Sequence, residues 1–371
     1  MRLSDLPTPA VLLESSRLVR NLDRMQQAAA AHGRRLRPHA KTHKSPFIAA
    51  MQIERGAVGI CCAKLGEAEV FADAGIEDIR LPYPLHPVNA DRLFALAGRV
   101  ALSFIVDDLA IAQAWSDVAC RKGRTLDVLV KVDVGFHRCG IDPASADAAS
   151  VVRSIAELPG IRFHGLLSHA GHAYSATCDA ELKSIAATEA ELLRDLACRS
   201  GVDCREISVG ATPTARFSLN ENGVTEIRPG NYAYFDRTQV GLGAADFADC
   251  ALTVLARVVS HPAPERLVFD SGSKTLTSDG ARGFASSGGY GVVLQALEGT
   301  MIAADLLVER LSEEHATVRA TSGGTRLQTG DLVRIIPNHS CVVSNLVDNV
   351  WLVDGDQVIE QLPVAARGKI T

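Results

Sequence analysis

The 371-residue chain has no surplus of positive charge: 38 lysines and arginines stand against 43 aspartates and glutamates, for a formal net charge of -5. Nor does any stripe of basic residues interleaved with aromatics occur, so a nucleic-acid partner is not expected. Apolar runs stop short of the roughly 18 residues that a membrane span needs, and the N-terminus lacks the charged, apolar, small-residue order of a secretory signal. No membrane partner and a cytoplasmic location are therefore expected. Nine cysteines are too few for a disulfide scaffold, and none forms a C-x-x-C pair or a zinc-ribbon spacing. Most, such as Cys61 and Cys62, read as small buried hydrophobes.

Long Pro/Ser/Gly linkers, low-complexity stretches and internal repeats are also missing. What is present is an alternation of short apolar runs with amphipathic segments between about Leu36 and Asp236. Strands are expected over Leu36–Ala40, Val58–Ala63, Asp78–Tyr83, Ala101–Val106, Leu126–Val132, Ile161–Ser168, Glu206–Val209 and Glu226–Tyr232. Between them lie helix-like segments such as Gly66–Ala74 and Glu181–Arg199. Eight strands in this rhythm suit a closed (β/α)8 barrel of the TIM type, although its roughly 200 residues are compact beside the usual figure of about 250. A doubly wound open sheet is the alternative. From about Ala251 the pattern becomes apolar runs broken by Gly, Asn and Asp turns, which reads as a β domain. The division expected is a barrel over 15–245 and a β domain over 246–371. The opening strand, residues 7–14, is expected to pair with the latter, with a helix over Ser16–Ala31 after it.

In a parallel barrel, chemistry gathers where the βα loops meet, at the C-terminal strand ends. Lys41, in Arg37-Pro38-His39-Ala40-Lys41-Thr42-His43-Lys44, directly follows the first strand. A lone lysine is most often a solvated surface charge. Here, however, four further strand ends are polar too: Asp133–Arg138, His169–Tyr174, Ser208–Thr212 and Pro229–Tyr232. Neighbouring cations would lower the amine's pKa and activate it toward a carbonyl. The last two runs suit a phosphate, because glycine lets backbone N–H groups approach an anion and Thr212 adds a hydroxyl. Plain turn chemistry would explain the same residues.

His339 and Cys341 form an H-x-C motif. In an extended segment, side chains at i and i+2 share a side and could bind one ion. Nitrogen with sulfur favours Zn²⁺ over Mg²⁺, and two protein ligands would leave positions open for water or substrate. A satisfied histidine beside a buried cysteine is the plainer alternative.

Over nearly its whole length the chain resembles the fold-type III pyridoxal phosphate enzymes, in the branch of D-threonine aldolase and eukaryotic-type D-serine dehydratase. The segment Arg37–Lys44 looks like that family's cofactor-lysine motif and implies an aldimine on Lys41, not Lys44. Residues Gly59–Lys64 and Ala366-Arg367-Gly368 look more like the aldolases. By contrast, His169–Tyr174, Ser208–Thr214 and His339-x-Cys341 look more like the dehydratases. The resemblance implies a (β/α)8 barrel with a β domain, a homodimer and a small D-amino acid substrate with a β-hydroxyl. Gly210, Thr212, Gly230, Asn231 and Tyr232 would hold the phosphate, Arg138 and His169 would lie near the ring, and Tyr174 would partner the ring nitrogen. His339 and Cys341 would be metal ligands. Characterised aldolases tend to have aspartate where Cys341 stands.

On that basis a lyase dependent on pyridoxal phosphate and a divalent metal is expected, with zinc preferred over manganese or magnesium. Dehydration of D-serine or D-threonine is favoured, because a thiolate ligand suits the softer ion. Retro-aldol cleavage to glycine and an aldehyde is the rival. A racemase would need a second acid-base group that no motif identifies, and non-catalytic cofactor carriers resemble the barrel alone.

Overall fold

The computed structural model describes residues 1–286 and 288–371. The chain forms two compact units. One comprises Met25–Lys41, Pro46–Gly230 and Gly368–Thr371, the other Met1–Arg24, Thr42–Ser45 and Asn231–Arg367.

The first unit is built on an eight-stranded, all-parallel sheet of the kind that helices must cover on its outer face. In sheet order its strands are Arg35–Leu36, Glu226–Ile227, Glu206–Val209, Ile161–Leu167, Leu126–Lys131, Ala101–Val106, Asp78–Pro84 and Ile60–Cys61. Beyond the end of this order, His39, just past the first strand, makes a parallel bridge with Cys61 in the last. Six strands follow the expected runs to within a residue or two. The runs over 36–40 and 226–232 are shorter than expected, because the chain leaves the sheet for 3-10 turns at Ala40–Thr42 and Asn231–Ala233. The helix over Leu109–Arg121 shows why its sequence folds as it does. Asp108 caps it by accepting from Ile111 N at 2.8 Å, and Trp115, fully buried, packs on Phe104 and donates Nε1–H to Leu85 O. The long helix Asp179–Ser200 ends at Gly201 in the left-handed conformation (φ +68°).

Apolar side chains such as Ile105, Leu129 and Leu167 form one buried cluster of this sheet. A second buried cluster is charged. Glu226, fully buried, accepts from Arg37 Nε at 2.9 Å, Arg80 Nη1 at 2.6 Å and Ser208 Oγ at 2.5 Å, while Arg80 also reaches Glu206 at 2.8 Å. Burial would raise the Glu226 carboxyl, but Arg80 and Arg37 beside it hold it at about 2.

The second unit carries a nine-stranded, mostly antiparallel sheet in the order Arg266–Phe269, Ala316–Ala320, Ile302–Leu311, Val292–Leu294, Leu332–Ile336, Leu252–Ala263, Ala10–Glu14, Asn349–Asp354 and Gln357–Pro363. The N-terminal strand Ala10–Glu14 lies antiparallel to Leu252–Ala263 and parallel to Asn349–Asp354. Its apolar residues Ala10 and Leu12 join Leu3, Leu6, Leu255 and Val353 in a core cluster. Beside it Arg334, fully buried, is satisfied by Glu14 at 3.0 Å and Thr253 at 2.7 Å. Among the described residues no helix is long and apolar enough to cross a membrane.

Candidate active site

In the parallel-sheet unit Lys41 is exposed on the 3-10 turn that follows the strand Arg35–Leu36 and the bridging residue His39. Lys44, the other lysine of the motif, is buried and donates to Ala366 O at 3.4 Å. His169 follows the strand Ile161–Leu167, and its Nδ1 meets Gly210 O at 2.5 Å. A carbonyl can only accept, so Nδ1 carries the proton. Burial, together with the charges of Lys41 and Lys131, holds this imidazole well below its ordinary range. It is therefore neutral, with Nε2 unprotonated.

Gly210 is required by packing, since a Cβ there would come within 2.9 Å of Arg228 N. Thr212 is buried and Tyr174 half-buried on the 3-10 turn Gly171–Ser175. Arg138 is exposed, its guanidinium 5.1 Å from the Phe136 ring centroid, and Phe136 in turn packs edge-on to His169. The loop that carries them is fixed by Asp133, whose Oδ1 accepts from the backbone N–H groups of Gly135, Phe136 and His137, each at 3.0 Å.

Sequence reasoning missed Lys131. It ends the strand Leu126–Lys131 almost wholly buried, and burial with nearby Arg228 pushes its amine down to about 7. A lysine inside the apolar run Val128-Leu129-Val130-Lys131-Val132 was the available signal. Lys41, Lys131 and Arg138 all act electrostatically on His169. An exposed lysine amine for the aldehyde, with further basic side chains beside a neutral imidazole, fits pyridoxal phosphate.

In the antiparallel-sheet unit Gly230's neighbour Asn231 donates through Nδ2 to Asp236 at 2.7 Å, Ser340 Oγ at 3.1 Å and Cys341 Sγ at 3.4 Å. With the amide nitrogen so committed, its N–H group in the main chain is the better donor to an anion. Tyr232 is fully buried. His339 and Cys341 do not share an extended segment as expected. His339 is extended (φ -144°, ψ 92°) and caps a short helix, Ser340–Leu346, with Cys341 in its first turn. The two side chains still meet. Burial opposes charge on both, yet the Cys341 sulfur raises His339 to about 10, and His339 with Thr42 lowers the Cys341 thiol below its ordinary value.

Two partners absent from the sequence reading complete this group. Asp279 Oδ2 lies 2.6 Å from His339 Nδ1, which makes Nε2 the nitrogen that would face an ion. Thr277, just before it, has φ +64° and ψ 158°, a strained conformation for a β-branched residue. The second is Tyr234, whose Oη is buried without a hydrogen-bond partner among the described residues and feels the charge of Cys341. No group of three or more His, Cys, Asp or Glu side chains able to hold an ion occurs among the described residues. An imidazole oriented by a carboxylate, a low-pKa thiol and a hydroxyl lacking a partner nevertheless fit an open divalent site with soft donors.

A curled parallel sheet with a lysine at its strand ends, joined to an antiparallel β domain, is the architecture of the fold-type III pyridoxal phosphate enzymes. Residues 13–238 match the alanine racemase N-terminal domain, and residues 251–353 match a putative serine dehydratase domain. The chain belongs to this family, in the branch of D-threonine aldolase and eukaryotic-type D-serine dehydratase. It is 35% identical to the D-threo-3-hydroxyaspartate dehydratase of Delftia sp. (strain HT23), over 91% of each chain. To the D-threonine aldolase of Arthrobacter sp it is 34% identical, over 99% of this chain and 94% of the relative. A solved structure of D-threo-3-hydroxyaspartate dehydratase, a cysteine-to-alanine mutant in the metal-free form, superposes with a TM-score of 0.90 at 31% identity and 98% coverage of each chain.

Proposed function

We propose that the protein is a pyridoxal phosphate-dependent lyase acting on D-3-hydroxy amino acids, and that its reaction is dehydration. The observation that carries the reaction is the donor pair His339 and Cys341, with Asp279 behind the imidazole. Sulfur and nitrogen donors suit zinc, which as a Lewis acid would weaken the bond to a β-hydroxyl so that it departs as hydroxide. Lys41, exposed where Lys44 is buried, is the cofactor lysine.

When bound, the cofactor supplies a conjugated ring that accepts the electron pair left at the substrate Cα. Lys41 Nζ removes the Cα proton, a task for which its neutral form is needed. Neutral His169, whose proton is kept on Nδ1 through Gly210 O, would lie near the ring. Gly210, Thr212, Gly230, Asn231 and Tyr232 form the phosphate loops, with backbone N–H groups as donors. Tyr174 would partner the ring nitrogen. We take the His39–Cys61 bridge to close a (β/α)8 barrel, and the working form to be a homodimer.

Retro-aldol cleavage is the second reading, favoured by the D-threonine aldolase relative. Incubation with D-threonine separates the two. Dehydration yields 2-oxobutanoate and ammonia, whereas glycine with acetaldehyde would overturn the dehydratase reading.

A further inference from the structure

Phe136 has no part in the chemistry above, yet it stands among three of the groups assigned to the cofactor. It lies at the tip of the loop that follows the strand Leu126–Lys131. Both ends of this loop are tied: Val132 bridges to Ile141, Asp133 N donates to Ile141 O, and Ile141 N donates to Lys131 O, the last two at 2.9 Å. Asp107 Oδ2 accepts from Gly140 N at 2.9 Å. Gly140 has φ +122°, and a Cβ on it would lie 2.5 Å from Asp133 N, so only glycine lets the loop close this tightly. Inside the loop Asp133 Oδ1 already binds three N–H groups. Phe136, 38% exposed, is therefore presented from a fixed backbone.

Three contacts converge on its ring. The Arg138 guanidinium lies 5.1 Å from the ring centroid and makes no hydrogen bond or ion pair among the described residues, so the ring is what steadies this long side chain. His169 meets the ring at 6.0 Å and 89°, a T-shaped arrangement that aromatic pairs prefer. The bond to Gly210 O fixes one nitrogen of that imidazole, and the contact with Phe136 fixes its plane. Gly171 gives the ring its seat, since a Cβ there would come within 2.5 Å of Phe136 Cε1. Gly171 does not take the left-handed φ that would itself require glycine, so its missing Cβ serves the ring and not the turn. That turn, Gly171–Ser175, carries Tyr174.

We propose that Phe136 is a positioning residue of the cofactor site: by holding Arg138, the plane of His169 and the turn of Tyr174 against one ring, it sets the tilt of the bound pyridoxal ring. This rests on the reading that brings those three side chains to the cofactor, and adds how they keep a common geometry. A cation–π contact contributes about two- to fivefold to an equilibrium and an aromatic pair about two- to tenfold, so loss of both should weaken cofactor binding about 5- to 50-fold.

The test titrates the full-length apoprotein with pyridoxal phosphate in wild type, Phe136→Leu, Phe136→Ala, Gly171→Ala and the double variant Phe136→Ala with Gly171→Ala. Absorbance gives the Kd, and circular dichroism in the visible band of the cofactor reads the tilt of the bound ring. Phe136→Leu should raise Kd about 5- to 50-fold and reduce or invert the visible dichroism, with the thermal midpoint of the apoprotein little changed. Gly171→Ala, whose Cβ drives the ring from its seat, should reproduce both effects without altering residue 136. In the Phe136→Ala background the same substitution should add less than about twofold, because the ring that it displaces is gone. Unaltered dichroism and Kd in Phe136→Leu, or a Gly171→Ala effect as large without the ring as with it, would overturn the proposal. So would a fall in the thermal midpoint with neither cofactor readout moved, since Phe136 would then serve packing alone. Wild-type apoprotein that takes up no cofactor would remove the cofactor reading itself, an outcome separate from any result in the variants.

Discussion

Replacing Asp279 by alanine deletes the oxygen that His339 Nδ1 meets at 2.6 Å. That bond fixes both the tautomer and the ring plane of the imidazole, so its loss lets the ring rotate and spreads the proton over both nitrogens. The segment itself is held by the strained backbone at Thr277 and by Asn338 Nδ2, which donates to the Asp279 carbonyl at 2.9 Å. Because that main-chain bond survives in Asp279→Ala, the loop should keep its path. Removing such an outer partner commonly costs 10- to 100-fold in metal affinity, about 1.4–2.8 kcal/mol. Asp279→Asn keeps an acceptor but not the charge and should lose less. Zinc competition against a chromogenic chelator measures both variants directly. An Asp279→Ala affinity within twofold of wild type would refute the reasoning, because it would mean that His339 is oriented by something else or binds no ion.

Purified protein should be yellow, and Lys41→Ala should be colourless, whereas Lys44→Met should keep the colour and lose about 1 kcal/mol of stability with its buried bond to Ala366 O; absorbance and urea titration read the two effects. Glu226→Gln leaves Arg37 and Arg80 buried without their shared anion and should destabilise the protein by about 3–5 kcal/mol. Folded Glu226 titrates at about 2 against an ordinary value of 4.5. Its contribution is thus complete above about pH 4.5 and lost as pH falls toward 2. Acid titration followed by circular dichroism should show a shallower decline across that window in Glu226→Gln than in wild type.

Much of the parallel sheet was legible because its strands are buried on both faces and read as continuous apolar runs. The segments Ala101–Val106 and Glu206–Val209 coincide with their expected limits. In the antiparallel sheet, Ile302–Leu311, Ala316–Ala320 and Gln357–Pro363 were not anticipated. Ile302–Leu311 alternates poorly, with acidic residues on a half-exposed strand, so its sequence fits a helix as readily as a strand. Candidate site residues adjacent in sequence to a glycine or proline turn could be named from the sequence. Those defined by a distant partner could not: Asp279 is recognisable only once His339, 60 residues later, is beside it. The geometry ascribed to His339 and Cys341 was wrong because a short helix begins between them, and no cap signal marked it.

The buried charges of the parallel sheet have one further consequence. Strands as short as Arg35–Leu36 and Glu226–Ile227 offer few side chains by which to measure alignment. Moving Glu226–Ile227 by a single position would turn the carboxylate to the opposite face and strand two guanidinium groups in the interior. A shape-based core tolerates such slips with modest loss, whereas a misplaced charge does not. The chain of ion pairs from Arg37 through Glu226 and Arg80 to Glu206 thus works as a lock with one key position, and the strand end that precedes Lys41 is set at the correct height by it.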